Sequence, residues 1–269
     1  MKILTFSNSK GGVGKTTITT GVARTLSALG KKVLIIDIDP QGNITNVFRH
    51  EENKNEDSTL TLWFELSSEI KDIEKWKQNI INGMEETNTK NIFLVPAYKN
   101  IIKEKISKLQ MSNVGVFVFE KNVNQIKKIL EKLFDYVLID TNPTMTILTT
   151  NIFITADQVI FPIEPHKFSV EGIGIFFEDY SNTIKELQEI KSDIKQNLNY
   201  ILFNKVGKNK MDQAIIEQYM NSNFKNQILN TKIPYNQTMK KQTMMEKINL
   251  TDKSPYFELI KELNIKGVI

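Results

Sequence analysis

Lys10-Gly11-Gly12-Val13-Gly14-Lys15-Thr16-Thr17 decides the fold of this 269-residue chain. Counted back from Thr16, the stretch fits the phosphate-cradle pattern G-x-x-x-x-G-K-[ST], except that the strict pattern opens on glycine where this chain has Ser9. The loop is therefore a deviant one, with a second cation, Lys10, at its head. Before it runs Lys2-Ile3-Leu4-Thr5-Phe6, a short apolar run with strand character. After it, Ile18, Val22, Leu26 and Leu29 recur at helical spacing, and Gly30 stops the helix. Strand, glycine-rich loop and helix form the context this motif requires. That context disfavours the alternative of a glycine-rich turn with no ligand.

The chemistry follows from the residue types. Glycines let backbone N–H groups approach phosphate oxygens, and the helix N-terminus adds partial positive charge at the same place. On this reading Gly11, Gly12, Val13 and Gly14 line the cradle, and Lys15 reaches the β- and γ-phosphates of a bound nucleotide. Thr16 sits on Mg²⁺, and Thr17 supports the α-phosphate side.

Two further apolar runs end in acids. Lys32-Val33-Leu34-Ile35-Ile36 leads into Asp37-Ile38-Asp39-Pro40-Gln41-Gly42-Asn43, and Tyr136-Val137-Leu138-Ile139 ends in Asp140. Buried parallel strands read as such runs, and ligands collect at their carboxyl ends. Strand alternation puts Asp37 and Asp39 on one side of the chain. One of them can hold the metal shell while the other faces the attacking water. An apolar strand ending in Asp140 is the Walker B arrangement for Mg²⁺. A lone acid at a strand end more often caps a helix; two behind a phosphate loop favour a metal.

These three stretches, in this order and near these spacings, resemble the ParA/Soj family of DNA-partition ATPases, within the deviant-Walker-A group that includes MinD. The likeness continues through Ala156–Pro165, Val170-Glu171-Gly172 and Ile233-Pro234. It implies that Lys10 reaches across an ATP-dependent homodimer to phosphates held by the other subunit, much as an arginine finger given in trans does. It implies hydrolysis involving Asp39, magnesium held near Thr16, Asp37 and Asp140, and adenine read by Asn204, with Pro234 and Asn236 lining the base pocket. Lys10, Lys15 and Asp39 are thus the candidate catalytic residues. The implied partners are nonspecific DNA and a ParB-like centromere-binding protein that stimulates a slow ATPase. Two departures stand out. Thr141-Asn142-Pro143 keeps one proline where the family has two after the Walker B acid, and Tyr235–Lys241 replaces an arginine-bearing segment.

Composition sets limits. With no cysteine, disulfides and thiolate-held clusters are excluded, and with them the nitrogenase iron-protein branch of the superfamily. Net charge is only +4, yet Lys191–Ile269 holds thirteen lysines against seven acids. Clustered cations suffice for DNA binding without sequence readout. The candidates are Lys205, Lys208, Lys210, Lys240, Lys241 and Lys247. No leader or spanning segment is evident, so the expectation is a cytoplasmic, nucleoid-associated protein without a stable membrane anchor and without an N-terminal helix-turn-helix extension.

The expected fold is α/β: a single-domain P-loop NTPase over residues 1–269, with a mostly parallel sheet flanked by helices on both faces. Strands are expected at 2–7, 32–37, 92–95, 136–140, 157–162, 199–204 and near 228–233. Helices are expected at 15–29, 59–67, 69–81, 120–134, 143–154, 169–190, 211–224 and 254–264, with 49–58 as a polar surface loop. Asn113–Phe119 reads apolar and strand-like. Two other functions compete. A MinD-like positioning ATPase would dock on membrane through the stripe Tyr256, Phe257, Ile260 and Leu263, although such a stripe more often packs on its own core. A metabolic ligase of the dethiobiotin-synthetase type is opposed by Lys10 and the Asp-Pro-Gln-Gly-Asn stretch.

Overall fold

The computed structural model describes residues 1–50, 60–97, 99–165, 169–237 and 254–269. Eight strands form one sheet: β1 (Lys2–Phe6), β2 (Val33–Asp37), β3 (Glu85–Glu86), β4 (Ile92–Val95), β5 (Tyr136–Asp140), β6 (Gln158–Ile163), β7 (Leu198–Val206) and β8 (Ile228–Pro234). Their spatial order is β3-β4-β2-β5-β1-β6-β7-β8, parallel throughout except where β3 meets β4. The chain builds outward from β1 to one side first and to the other later. Such a reversal opens a crevice at the carboxyl ends of the central strands, where ligands of open α/β sheets bind.

Parity along each strand sorts its side chains between two buried layers. Leu34 and Ile36 of β2, Val137 and Ile139 of β5, and Ile201 and Phe203 of β7 enter one core. Helices α4 (Ile73–Asn82), α6 (Val118–Leu133), α7 (Ile147–Thr155), α8 (Ser169–Ile190) and α9 (Lys210–Met220) contribute to that layer. Val33 and Ile35, Leu138, and Leu202 enter the other, under α1 (Lys15–Ala28) and α2 (Asn43–Phe48). The C-terminal helix Pro255–Ile265 lies on this second layer and buries Tyr256, Leu259, Ile260 and Leu263. Of the stripe that could have met a membrane, Tyr256, Ile260 and Leu263 are thus taken up by the protein's own core, and Phe257 is half-buried. Gly21 of α1 makes this possible, because a Cβ there would run into the Tyr256 ring. No helix among the described residues is long and apolar enough to cross a membrane.

Sequence and structure part in a few places. The stretch 113–119 is not a strand: Gly115–Phe117 forms a 3₁₀ turn and α6 starts at Val118. Its apolar residues are the buried face of a helix, with Phe119 stacked on Trp63 and Phe64. Asn151 clamps the turn, its Nδ2 donating to the Gly115 carbonyl and its Oδ1 accepting from the Phe119 N–H. Helix α7 begins at Ile147 rather than near 143, because Thr146 forms a capping box with Thr149. Helix α4 likewise waits for its Asp72 cap. The short helix α2, the edge strand β3 and helix α5 (Lys99–Gln110) add to the expected set, and α3 covers only Leu60–Trp63. Of the expected loop at 49–58, residues 51–58 lie outside the described residues, as do Lys240, Lys241 and Lys247.

Candidate active site

The loop between β1 and α1 is shaped by its glycines. Gly12 and Gly14 take φ of 79° and 94°, a region that L side chains rarely adopt. Asn8 anchors the loop's entry. Its Nδ2 donates to the Pro162 carbonyl on β6 at 2.7 Å, and its Oδ1 accepts the Lys10 N–H at 2.8 Å. The two lysines of the motif are placed differently. Lys15 is 7% exposed, and its ammonium donates to the carbonyls of Asn8 and Lys10 at 3.1 and 3.4 Å. Burial lowers its pKa, with Asp140 and Asp39 acting against that shift. Lys10 lies exposed at the loop's head, and among the described residues its ammonium has no hydrogen-bond or ion-pair partner.

The acids arrive by register. Asp37 and Asp140 are paired positions on neighbouring parallel strands, and parity points both toward α1, after Val33 and Ile35 and after Leu138. Thr16, on the first turn of α1, donates its hydroxyl to Asp140 Oδ2 at 2.8 Å. Asp140 is fully buried, and its other oxygen, Oδ1, has no hydrogen-bond partner. Burial raises the Asp140 pKa well above the usual carboxylate value, with the Asp37 charge adding to it. An orphaned buried carboxylate oxygen beside a threonine hydroxyl is a hard-oxygen donor set that fits Mg²⁺. Among the described residues no cluster of three or more acids or histidines forms an all-protein metal cage. Magnesium rarely needs one, since it keeps waters and phosphate oxygens as ligands.

Asp37 is engaged differently from Asp140. Its Oδ2 accepts from the Thr45 N–H at 3.1 Å and the Thr45 hydroxyl at 2.6 Å, and its Oδ1 accepts from the Asp39 N–H at 3.0 Å. It braces the turn into α2 from behind. Burial pushes its pKa up to about 7, against the lowering effect of the Thr45 and Asp39 hydrogen bonds. Asp39 is carried by that braced turn, where its Oδ1 accepts from the Gln41 N–H.

On the other flank β7 ends against the loop. Asn204 is buried and its Nδ2 donates to the Val13 carbonyl at 2.6 Å. Pro234 pairs with Val206, so the end of β8 lies beside the same rim, with Pro234 and Asn236 exposed there. Lys205, grouped in the sequence with outward lysines, instead donates to the Gly12 carbonyl and to Glu164. Lys208 and Lys210 are exposed beyond it. Sequence reasoning passed over Asn8 and Thr45. The signal for Asn8 was a short amide two residues before the loop lysine, and for Thr45 a hydroxyl one turn into the helix after the acids.

Residues 1–200 match the AAA domain family AAA_31. The chain belongs to this family, in its ParA/Soj group of P-loop ATPases. The chromosome-partitioning ATPase Soj of Treponema pallidum is 29% identical over 241 residues, which cover 87% of this chain and 83% of that one. In fold, the chain is similar to McdA from Cyanothece in its apo form, at a TM-score of 0.75 and 21% identity over 98% and 99% of the two chains. It is also similar to cobyrinic acid a,c-diamide synthase of Mycobacterium smegmatis with bound ATP analogue and magnesium, at a TM-score of 0.69 and 22% identity over 91% of each chain. McdA and a synthase thus share the architecture, so fold alone does not select the reaction.

Proposed function

We propose that this ParA/Soj-group ATPase is a DNA-partition enzyme: Mg²⁺·ATP joins two copies face to face, the dimer holds DNA without reading sequence, and hydrolysis releases it. The observation that carries this reading is the contrast between the two loop lysines. Lys15 is drawn into its own loop, whereas Lys10 stands free at the exposed rim. A lysine so placed is suited to a phosphate presented by a second copy, where it would stabilise charge on the transferring phosphoryl group.

The remaining residues divide the work. The loop amides and Lys15 would hold the β- and γ-phosphates. Thr16 and Asp140 would hold magnesium, which neutralises charge on the triphosphate when bound. Asp39, on the turn braced by Asp37, would orient the attacking water. Asn204 commits one N–H to Val13, which leaves its carbonyl oxygen and second N–H for an adenine edge. Lys208 and Lys210, exposed past the end of β7, are the described cations suited to DNA phosphates. A ParB-like centromere-binding protein is the partner expected to stimulate turnover, and the working place is the nucleoid. The burial of Tyr256, Ile260 and Leu263 in the C-terminal helix argues against a MinD-like membrane role.

The experiment is retention on nonspecific duplex DNA with Mg²⁺·ATP, with Mg²⁺·ADP and without nucleotide. Retention should require ATP and weaken with salt, and Lys208→Glu with Lys210→Glu should reduce it. Equal retention without nucleotide would contradict the proposal. Flotation with anionic liposomes in place of DNA would point to the membrane role.

A further inference from the structure

Among the described residues only Asn91 and Lys205 are non-glycines with positive φ, and Lys205 has φ of 56°. It stands where β7 breaks register with β8, between Phe203 and Val206. Parity explains why the chain bends there. Leu202 faces the α1 layer and Phe203 the opposite one, so in regular strand geometry Asn204 and Lys205 would also point apart. Instead both reach one loop. Asn204 Nδ2 donates to the Val13 carbonyl and Lys205 Nζ to the Gly12 carbonyl, at 2.6 and 2.5 Å. Glu164, just past β6, holds the same ammonium at 2.8 Å. The left-handed backbone at Lys205 lets two neighbouring side chains grip two successive peptide groups.

A trans peptide points its carbonyl and its N–H in opposite directions. With the Gly12 and Val13 carbonyls drawn to β7, the N–H groups of Val13 and Gly14 are turned the other way, off β7. Those are amides that a phosphate would need. We infer that Lys205 is a positioning residue for nucleotide binding: with Asn204 it presets the peptide orientation of the phosphate loop, and Glu164 sets the position of its ammonium. A role on the loop also accounts for why this lysine is paired while Lys208 and Lys210 stay exposed. The inference rests on the ATPase reading of the site.

The test is Lys205→Met, which keeps stem length and removes the ammonium, compared with Lys205→Arg and the unaltered protein. Dissociation constants for ATP, ADP and AMP are measured by competition in the presence of Mg²⁺. Losing a charged hydrogen bond that aligns the loop should weaken ATP and ADP about tenfold, leave AMP nearly unchanged, and be largely restored by Lys205→Arg. Unchanged ADP affinity overturns the inference, and so does an equal loss for AMP, which would mark an effect on the base pocket or on folding. Should Lys205→Met be insoluble, Glu164→Ala takes its place, with the same β-phosphate-selective loss expected and its absence overturning the inference. If the unaltered protein binds no adenine nucleotide, the ATPase reading falls and this inference with it; unchanged variants alone leave that reading standing.

Discussion

Asp37 and Asp140 sit side by side at the ends of β2 and β5 with both carboxylates out of contact with water. The fold brings together two acids whose charges repel and whose burial disfavours ionisation. Burial is the larger cause for both: it pushes the Asp37 pKa up to about 7, with the Asp39 charge adding to it, and holds the Asp140 pKa well above the ordinary 3.8, with the Asp37 charge adding to it. A bound cation would relieve this arrangement, which ties the stability of the metal-free protein to pH.

The sign follows from proton counting. From about pH 4, where an unfolded aspartate ionises, up to about pH 7, the folded state binds more protons than the unfolded one. Stability without metal should therefore fall as pH rises through that window. Asp140→Asn removes one buried charge and one source of repulsion, and can offer an amide N–H where Oδ1 is now orphaned. Thermal melts in chelator should show the variant above the parent at pH 8 and close to it at pH 5. At roughly 2–4 °C per kcal/mol for a domain near this size, the gap should reach several degrees, while magnesium-dependent turnover is lost. Parallel melting curves from pH 5 to 8 would contradict the coupling.

Gly14 is required twice over. Its φ of 94° excludes a side chain on conformational grounds, and a Cβ would strike Asn204. Gly14→Ala should cost about 1–3 kcal/mol and abolish nucleotide binding. Adding Asn204→Ala clears the collision but not the backbone strain, so denaturant melts should find Gly14→Ala nearly as costly to stability in the Asn204→Ala background as in the parent. Recovery of stability there would mean that the collision alone matters.

Most of the sheet and the phosphate loop were legible in the sequence because strong local signals carry them. Runs such as Val33–Ile36 are apolar on both faces, and Gly12, Gly14 and Lys15 fall in a fixed pattern. The start of α6 was misread because Val116, Phe117, Val118 and Phe119 are residues that suit a strand, and the clamp that turns them into a helix is Asn151, more than thirty residues away. Lys205 was opaque for a similar reason. Its composition is that of a surface cation, and only the placement of Gly12 and Glu164 by other elements gives it a partner. Asp37 and Asp140 were recognisable as acids at strand ends. Their different engagement depends on Thr45 and Thr16, which sequence order does not bring together.

Gly21→Ala separates local propensity from packing. In an exposed helix interior the change would stabilise by up to about 1 kcal/mol. Here the added methyl meets the Tyr256 ring in a filled layer, and overpacking costs about 1–3 kcal/mol. The variant should melt below the parent. Tyr256→Leu in the same chain should make the Gly21→Ala change less harmful, a non-additivity that a double-mutant cycle in denaturant would read. Additive costs would show that the two positions do not meet.

The two loop lysines yield opposite variants. Lys15 is buried and bonded within its own loop, so Lys15→Ala removes a cation from the phosphate cradle itself and should reduce ATP affinity at least tenfold in a monomer. Lys10 is exposed and makes no such contact, so Lys10→Ala should change stability by no more than about 0.5 kcal/mol. Its monomer should still bind ATP within a few-fold of the parent. What it should lose is the ATP-dependent dimer on a sizing column, and with it turnover and DNA retention. Because the first loss is read as affinity and the second as assembly, calorimetry and chromatography together distinguish a cation used in cis from one used in trans. A dimer that persists in Lys10→Ala would remove the reason for assigning this lysine to the other copy's phosphates.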